Sequence, residues 1–321
     1  MSGEVLGVYR QVVTTTDGRQ GLLAAGAAAV TVVLWASAFV AIRHVGHEFS
    51  AGALSLGRLL VGSLLLGALL FTRPRRWPAK GDWKLLLICG LLWFGVYNVA
   101  LNEAEQRLDA GTAAMLVNVG PLLIALLAGL LLGEGFPRQL VIGSIAAFGG
   151  VVLIGTSSSE GKAETWGVIL CVVAAIAYAV GVVAQKPLLG RLPALEVTWL
   201  ACTIGAISCL PFAPALIRET GDAKASTIWW IVFLGAFPTA LAFTTWAYAL
   251  ARTSAGRMGA TTYLVPPLTI FLAWLLLDET PASMAYLGGA LCLIGVAISR
   301  HKPSIPLTST VIPDSKPESK S

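Results

Sequence analysis

Charge is what this sequence has least of. Only 12% of its 321 residues are Asp, Glu, Lys or Arg, while 56% are hydrophobic. A soluble globular protein covers itself with far more charge than that, so the class is excluded. Histidine is scarce as well. His44 and His47 fall in one short loop and His301 in the tail, with no third ligand for a metal, so they read as solvated loop residues. The five cysteines (Cys89, Cys171, Cys202, Cys209, Cys292) sit inside apolar runs without CxxC spacing. Their odd number argues against a disulfide framework, and they read as small buried hydrophobes. No HExxH pair or GxSxG elbow is present, and the nearest approach to a Walker A loop, 155–163, has the wrong spacing. An ATP-driven motor in this chain is therefore excluded, and no enzyme, cofactor or metal is expected. The net charge of +5 reads as loop bias rather than as the mark of a nucleic-acid partner.

What the chain does have is apolar runs of about 20 residues, the length that crosses a bilayer as helix. Ten spans are expected, at 22–42, 51–72, 83–102, 111–132, 140–156, 166–184, 195–217, 228–250, 257–277 and 282–299. The polar leader 1–21 is long and its first apolar run can span, so no cleavable signal is expected. With the N-terminus inside, cytoplasmic segments hold sixteen of the twenty-two Lys and Arg, outer segments hold five, and Arg58 lies within a span. That bias puts both termini in the cytoplasm of a multi-pass plasma (inner) membrane protein. The tail 300–321, rich in Pro, Ser and Lys, reads as disordered.

The chain also repeats itself. AGTAAMLVNVGPLLIALLAGLLLGE (110–134) aligns without a gap to AGRMGATTYLVPPLTIFLAWLLLDE (255–279), pairing Pro121 with Pro266 and Glu134 with Glu279. The same offset pairs Gly90 with Gly235, Arg107 with Arg252, Gly143 with Gly288 and Gly150 with Gly295. Shared Leu would mean little; the paired Pro, Gly and Glu indicate an internal duplication. Two repeats of five spans each, an odd number, must be inverted relative to one another. The fold class expected is an all-α integral membrane protein of ten transmembrane helices, built as two inverted five-helix repeats at 22–156 and 166–299 with an outer linker at 157–165. Inverted repeats are how secondary transporters exchange inward and outward access.

With the first-span stretch WASAFVAIRHV and Arg58 early in the second span, these motifs resemble the EamA family of the drug/metabolite transporter superfamily. The resemblance runs from about residue 22 to 299. It implies movement of small organic metabolites, amino-acid-like compounds or drugs, by alternating access and in the export direction. A flippase for a lipid-linked intermediate is the alternative within the class; an intramembrane enzyme or a sensor is the alternative outside it, and neither a buried catalytic set nor a signalling domain is seen.

Several residues are candidates for the substrate pathway. Arg58 lies roughly 10 Å inside a span by helical rise. There it is either a contact for an anionic group such as a carboxylate, or a structural Arg bonded to helix-end carbonyls or snorkelling outward. Asn118 and Tyr263 are matched across the repeats, each three residues before its proline. Pro121 and Pro266 remove a backbone donor and so break their helices, and polar groups beside such breaks mark transporter sites. The plainer reading is a kink with interhelical hydrogen bonds. Asn98 is read the same way. Trp35 and Tyr178, matched in the first span of each repeat, could line a cavity with Trp93, Trp246 and Tyr248, or simply pack. The acidic residues Glu103, Glu105, Asp109, Glu134, Asp278 and Glu279 all fall at span ends, where Glu134 and Glu279 are candidate coupling carboxylates or helix-turn caps. Small residues, including Gly129 and Gly133, suit packing within the protomer, with a homodimer face as the alternative.

Overall fold

The computed structural model describes residues 3–131 except 73 and 75, and 162–300 except 254 and 282, with scattered positions between 138 and 153. Among them every regular element is helical. The helices are α1 (Gly3–Val45), α2 (Ala51–Phe71), α3 (Asp82–Glu105), α4 (Ala110–Val117), α5 (Gly120–Leu131) and α6 (Lys162–Leu188). They continue as α7 (Ala194–Ser208), α8 (Ala213–Asp222), α9 (Ala225–Arg252), α10 (Ala255–Thr261), α11 (Val265–Leu277) and α12 (Ser283–Arg300). Six helical stretches are long and apolar enough to cross a membrane, or seven if α7 and α8 count as one bent span. The expected fifth span is described only at scattered positions, and Glu134 lies outside the described residues.

Four departures from straight helix position the interior. Residues Cys89–Val96 of α3 and Gly235–Leu241 of α9 are π-helical. The shift that pairs Asn118 with Tyr263 also carries Val96 onto Leu241, so both wide turns fall at equivalent places in the duplicated register. Such turns free backbone carbonyls that a regular helix would consume. Asn98 takes up two of them, its Nδ2 donating to Phe94 O at 2.8 Å and Trp93 O at 3.4 Å. The other two departures are the proline breaks. The expected span 111–132 divides at Asn118 and Val119, and a 3-10 turn, Thr262–Leu264, separates α10 from α11. A further change from the expected spans is a 50° bend between α7 and α8, where Pro211 interrupts the single span expected at 195–217.

Packing crosses between the two halves of the chain. α1 lies along α9 and α11, α2 along α7 and the π turn of α9, α4 along α11, and α5 along α10. Residues facing outward, such as Leu64, Phe71, Ile176, Trp229 and Trp274, are large, apolar and exposed, as a lipid-facing surface requires. Cys89, Cys171, Cys202 and Cys209 are buried and free.

Candidate functional site

The two broken helices meet at the centre of the bundle. Pro266 has no N–H, so the Thr262 carbonyl four residues earlier lacks its α-helical donor and takes the 3-10 bond from Val265 N–H instead. Asn118, at the other break, supplies a second donor: its Nδ2 donates to Thr262 O at 2.8 Å, and Asn118 is 5% exposed. Asn118 Oδ1 is buried and has no partner among the described residues.

Around this junction lies a cavity lined by Trp35, Phe39, Trp93, Tyr97, Asn118, Pro121, Tyr178, Thr262 and Val265. Its walls are aromatic and continuous. The Trp35 ring meets Trp93 at 6.3 Å, Tyr178 at 6.2 Å, Phe243 at 5.4 Å and Trp246 at 4.9 Å between centroids. Gly181 on α6 makes this possible, because a Cβ there would run into the Cβ of Trp93. The indole nitrogens of Trp35 and Trp246 are buried without an acceptor among the described residues. Buried indole N–H groups normally find one, which makes these two available to a bound molecule. The free volume is about 30 Å³, room for water. Pockets for organic ligands run to roughly 300–1,000 Å³, so the conformation is closed around the site.

Arg58 is 3% exposed, so it does not snorkel. Its Nε donates to Thr239 Oγ1 at 3.1 Å, inside the π turn of α9. Close approach there depends on Gly235, where a Cβ would stand 2.7 Å from Arg58 O. Tyr97, which lines the cavity, faces Arg58.

The two ends of the bundle differ. At one, Arg43 on α1 is paired with Glu279 just past α11 at 2.9 Å, and its Nη1 donates to Glu105 O at 2.9 Å. At the other, Lys186 on α6 donates to Leu250 O and Thr253 O at 2.6 Å. Beside it opens a mouth of about 560 Å³ lined by residues including Ala24, Ala28, Arg252, Met258 and Thr261.

Of the residues the sequence singles out, Trp35, Tyr178, Asn118 and Pro121 line one cavity, and Trp93 and Trp246 join their aromatic cluster. Pro266 stands beside it, buried at the start of α11. Tyr263 packs against the cluster around Leu122, and its neighbour Thr262 faces the cavity. Asn98 serves the π turn of α3. Tyr248 stacks under Arg252, whose guanidinium carbon is 3.5 Å from the ring centre. Glu279 belongs to the Arg43 cluster. The sequence sets Glu105, 1% exposed, only among the acids at span ends, and it passes over Gln185, fully buried with no partner for either amide atom among the described residues. Gln185 could have been found, since it stands one residue past the expected end of its span. Among the described residues no group of three or more His, Cys, Asp or Glu could hold a metal.

The model of the EamA-like transporter family matches this chain twice, at residues 22–156 and 165–300. The chain belongs to that family. This EamA-like transporter is 36% identical over 275 residues to a probable terminal-alkyne amino-acid exporter of Streptantibioticus cattleyicolor, covering 85% of this chain and 92% of the relative. It is 29% identical to the uncharacterized transporter YdfC of Bacillus subtilis over 84% of this chain and 88% of that one. A solved structure of 22% identity aligns with a TM-score of 0.64 over 86% of this chain and 96% of its own, which establishes a shared fold.

Proposed function

We propose that this EamA-like transporter is a secondary exporter of small carboxylate-bearing molecules of the amino-acid type, held between Trp35, Trp93, Tyr178 and Asn118. Cargo passes by alternating access between two inverted five-helix repeats in the plasma membrane, with both termini cytoplasmic. The observation that carries this is the closed aromatic cavity where the two helix breaks join, Asn118 to Thr262, with indole donors that have no acceptor among the described residues and the buried Arg58 guanidinium behind Tyr97. Aromatic walls suit the body of such a cargo, and a fixed guanidinium suits its carboxylate. The double match of the family model supports the two repeats, and the exporter name carried by a relative supports the cargo class. On this reading the Lys186 end is cytoplasmic and open, and the Arg43 end is outer and closed.

A second reading rests on a groove of about 430 Å³ on the flank, bordered by Leu91, Val96, Val173 and Phe212, all exposed on the lipid-facing surface. An acyl chain would fit it, as a flippase requires. A thermal-shift screen of the detergent-solubilised protein separates the two. Neutral amino acids, including a terminal-alkyne one, should raise Tm while their methyl esters do not. Stabilisation by lipid-linked sugars alone would hand the chain to the second reading.

A further inference from the structure

Glu105 ends α3 in a setting unlike that of its neighbours. Glu103 is half-exposed and paired with Arg107 at 2.6 Å, and Asp109 caps α4, both of its oxygens bonded to Thr112. Glu105 is 1% exposed, and among the described residues neither carboxyl oxygen has a hydrogen-bond or ion-pair partner. The groups that face it come from every element packed around it: Arg43 of α1, Arg58 of α2, Tyr97 of its own helix, Asp109 at the start of α4, Cys171 of α6, and Glu279 past α11. Arg43 is already committed to Glu279, and Arg58 is bonded to Thr239. An ionised carboxylate shut away from water wants hydrogen bonds or a contacting cation, and this one has neither. As the neutral acid it can stay.

The Arg43 clasp is fastened to this same residue. Arg43 reaches across from the first span to Glu279 in the second half of the chain, and on the way its Nη1 takes the backbone carbonyl of Glu105 itself. Parting of Arg43 from Glu279 would free that hydrogen bond and let water reach the carboxyl. We propose that Glu105 is a proton-binding site whose occupancy is tied to the closing of this end of the bundle by the Arg43–Glu279 pair. When the end closes, the carboxylate takes a proton from hydronium: one O–H bond forms on Glu105, one breaks on hydronium, and a water molecule leaves. Opening reverses the step. By linkage, acid on this side of the membrane favours the closed end.

The idea rests on the alternating-access reading for what the proton accomplishes, but the proton can be read without any cargo. The test is infrared difference spectroscopy of the full chain in lipid, between roughly pH 5 and 8, following the C=O stretch of a protonated carboxyl. The wild type should show that band, Glu105→Gln should lose it, and Glu103→Gln should keep it. Glu279→Gln should deplete the band at neutral pH, because it opens the clasp and leaves the Arg43 cation free to face the carboxylate. A band that survives in Glu105→Gln overturns the site, and one that Glu279→Gln leaves unmoved overturns the coupling. If Glu105→Gln does not fold, Glu105→Asp must shift the band; an unshifted band there also sinks the proposal. A present band beside a failed amino-acid screen would leave the proton site standing and remove the cargo reading.

Discussion

Asn118 Nδ2 stands 2.8 Å from Thr262 O, and this one hydrogen bond ties together the helix breaks of the two halves of the chain. The acceptor is the carbonyl that Pro266 leaves without its α-helical donor and that Val265 N–H meets in a 3-10 bond. Replacing Asn118 by Ala removes this bond while Val265 N–H still meets the carbonyl, at a cost of about 0.5–1.5 kcal/mol. Thermal unfolding of the solubilised protein should show Asn118→Ala melting below wild type, and Asn118→Asp, which offers no donor when ionised, falling with it. Asn118→Gln melting lower than Asn118→Ala would mean that space, not the donor, matters at this position.

Trp35 and Trp246 allow packing to be separated from recognition. Trp246 is fully buried, and truncating a buried Trp to Ala costs about 3–5 kcal/mol. Trp246→Ala should therefore lose stability whatever the protein transports. Trp35→Phe keeps a ring against Trp93 and Tyr178 but removes an indole N–H that has no acceptor among the described residues. Its melting temperature should stay near wild type. If that N–H meets the cargo, the ligand-induced shift should shrink by roughly tenfold in apparent affinity, about 1.4 kcal/mol. An unchanged ligand response would return Trp35 to a packing role.

Those aromatic pairs also show how far the sequence reaches. The sequence pairs Trp35 with Tyr178 and Asn118 with Tyr263, and the first two rings stand 6.2 Å apart between centroids. It does not find the right atom: the bond from Asn118 ends on the carbonyl of Thr262, while Tyr263 turns to Leu122. The π turns are silent in the sequence, for Gly90 and Gly235 mark their places without announcing a wider turn. Glu105 stands among three nearby acids, Glu103, Asp109 and itself, which look alike until the fold pairs one with Arg107, uses another as a cap and buries the third. Pro211 did carry a visible signal for the bend between α7 and α8.

Arg58 sits where a structural and a functional role predict different outcomes. Its Nε bonds Thr239. Thr239→Val removes that acceptor while keeping the shape, so if Arg58 serves only to brace α2 against α9, Thr239→Val and Arg58→Gln should melt alike. If Arg58 holds a carboxylate, Thr239→Val should keep discrimination between an amino acid and its methyl ester, and Arg58→Gln should lose it. Arg58→Lys retains the charge but not the planar fork, so it should bind carboxylates weakly rather than not at all. Tm measured with each ligand across the three variants decides between the two roles.

Gly181 tests whether the aromatic wall is set by backbone contact. Ala in place of Gly usually favours a helix by up to about 1 kcal/mol. Gly26 in α1 has nothing within 4 Å of an added Cβ, so Gly26→Ala should show that gain or no change. At Gly181 the added methyl would collide with Cβ and the ring root of Trp93, neither of them the free end of a flexible side chain. Either α6 or the π turn of α3 must then move away, carrying Trp93 out of its contacts with Trp35 and Tyr178. Gly181→Ala should lower Tm, where helix propensity alone would raise it, and it should blunt the response to amino acids. Because Trp fluorescence reports on the same rings, an altered emission spectrum in Gly181→Ala and an unaltered one in Gly26→Ala would trace the loss to this contact. Identical spectra would mean that the wall yields without moving Trp93, and that its position is held by the rings rather than by the glycine.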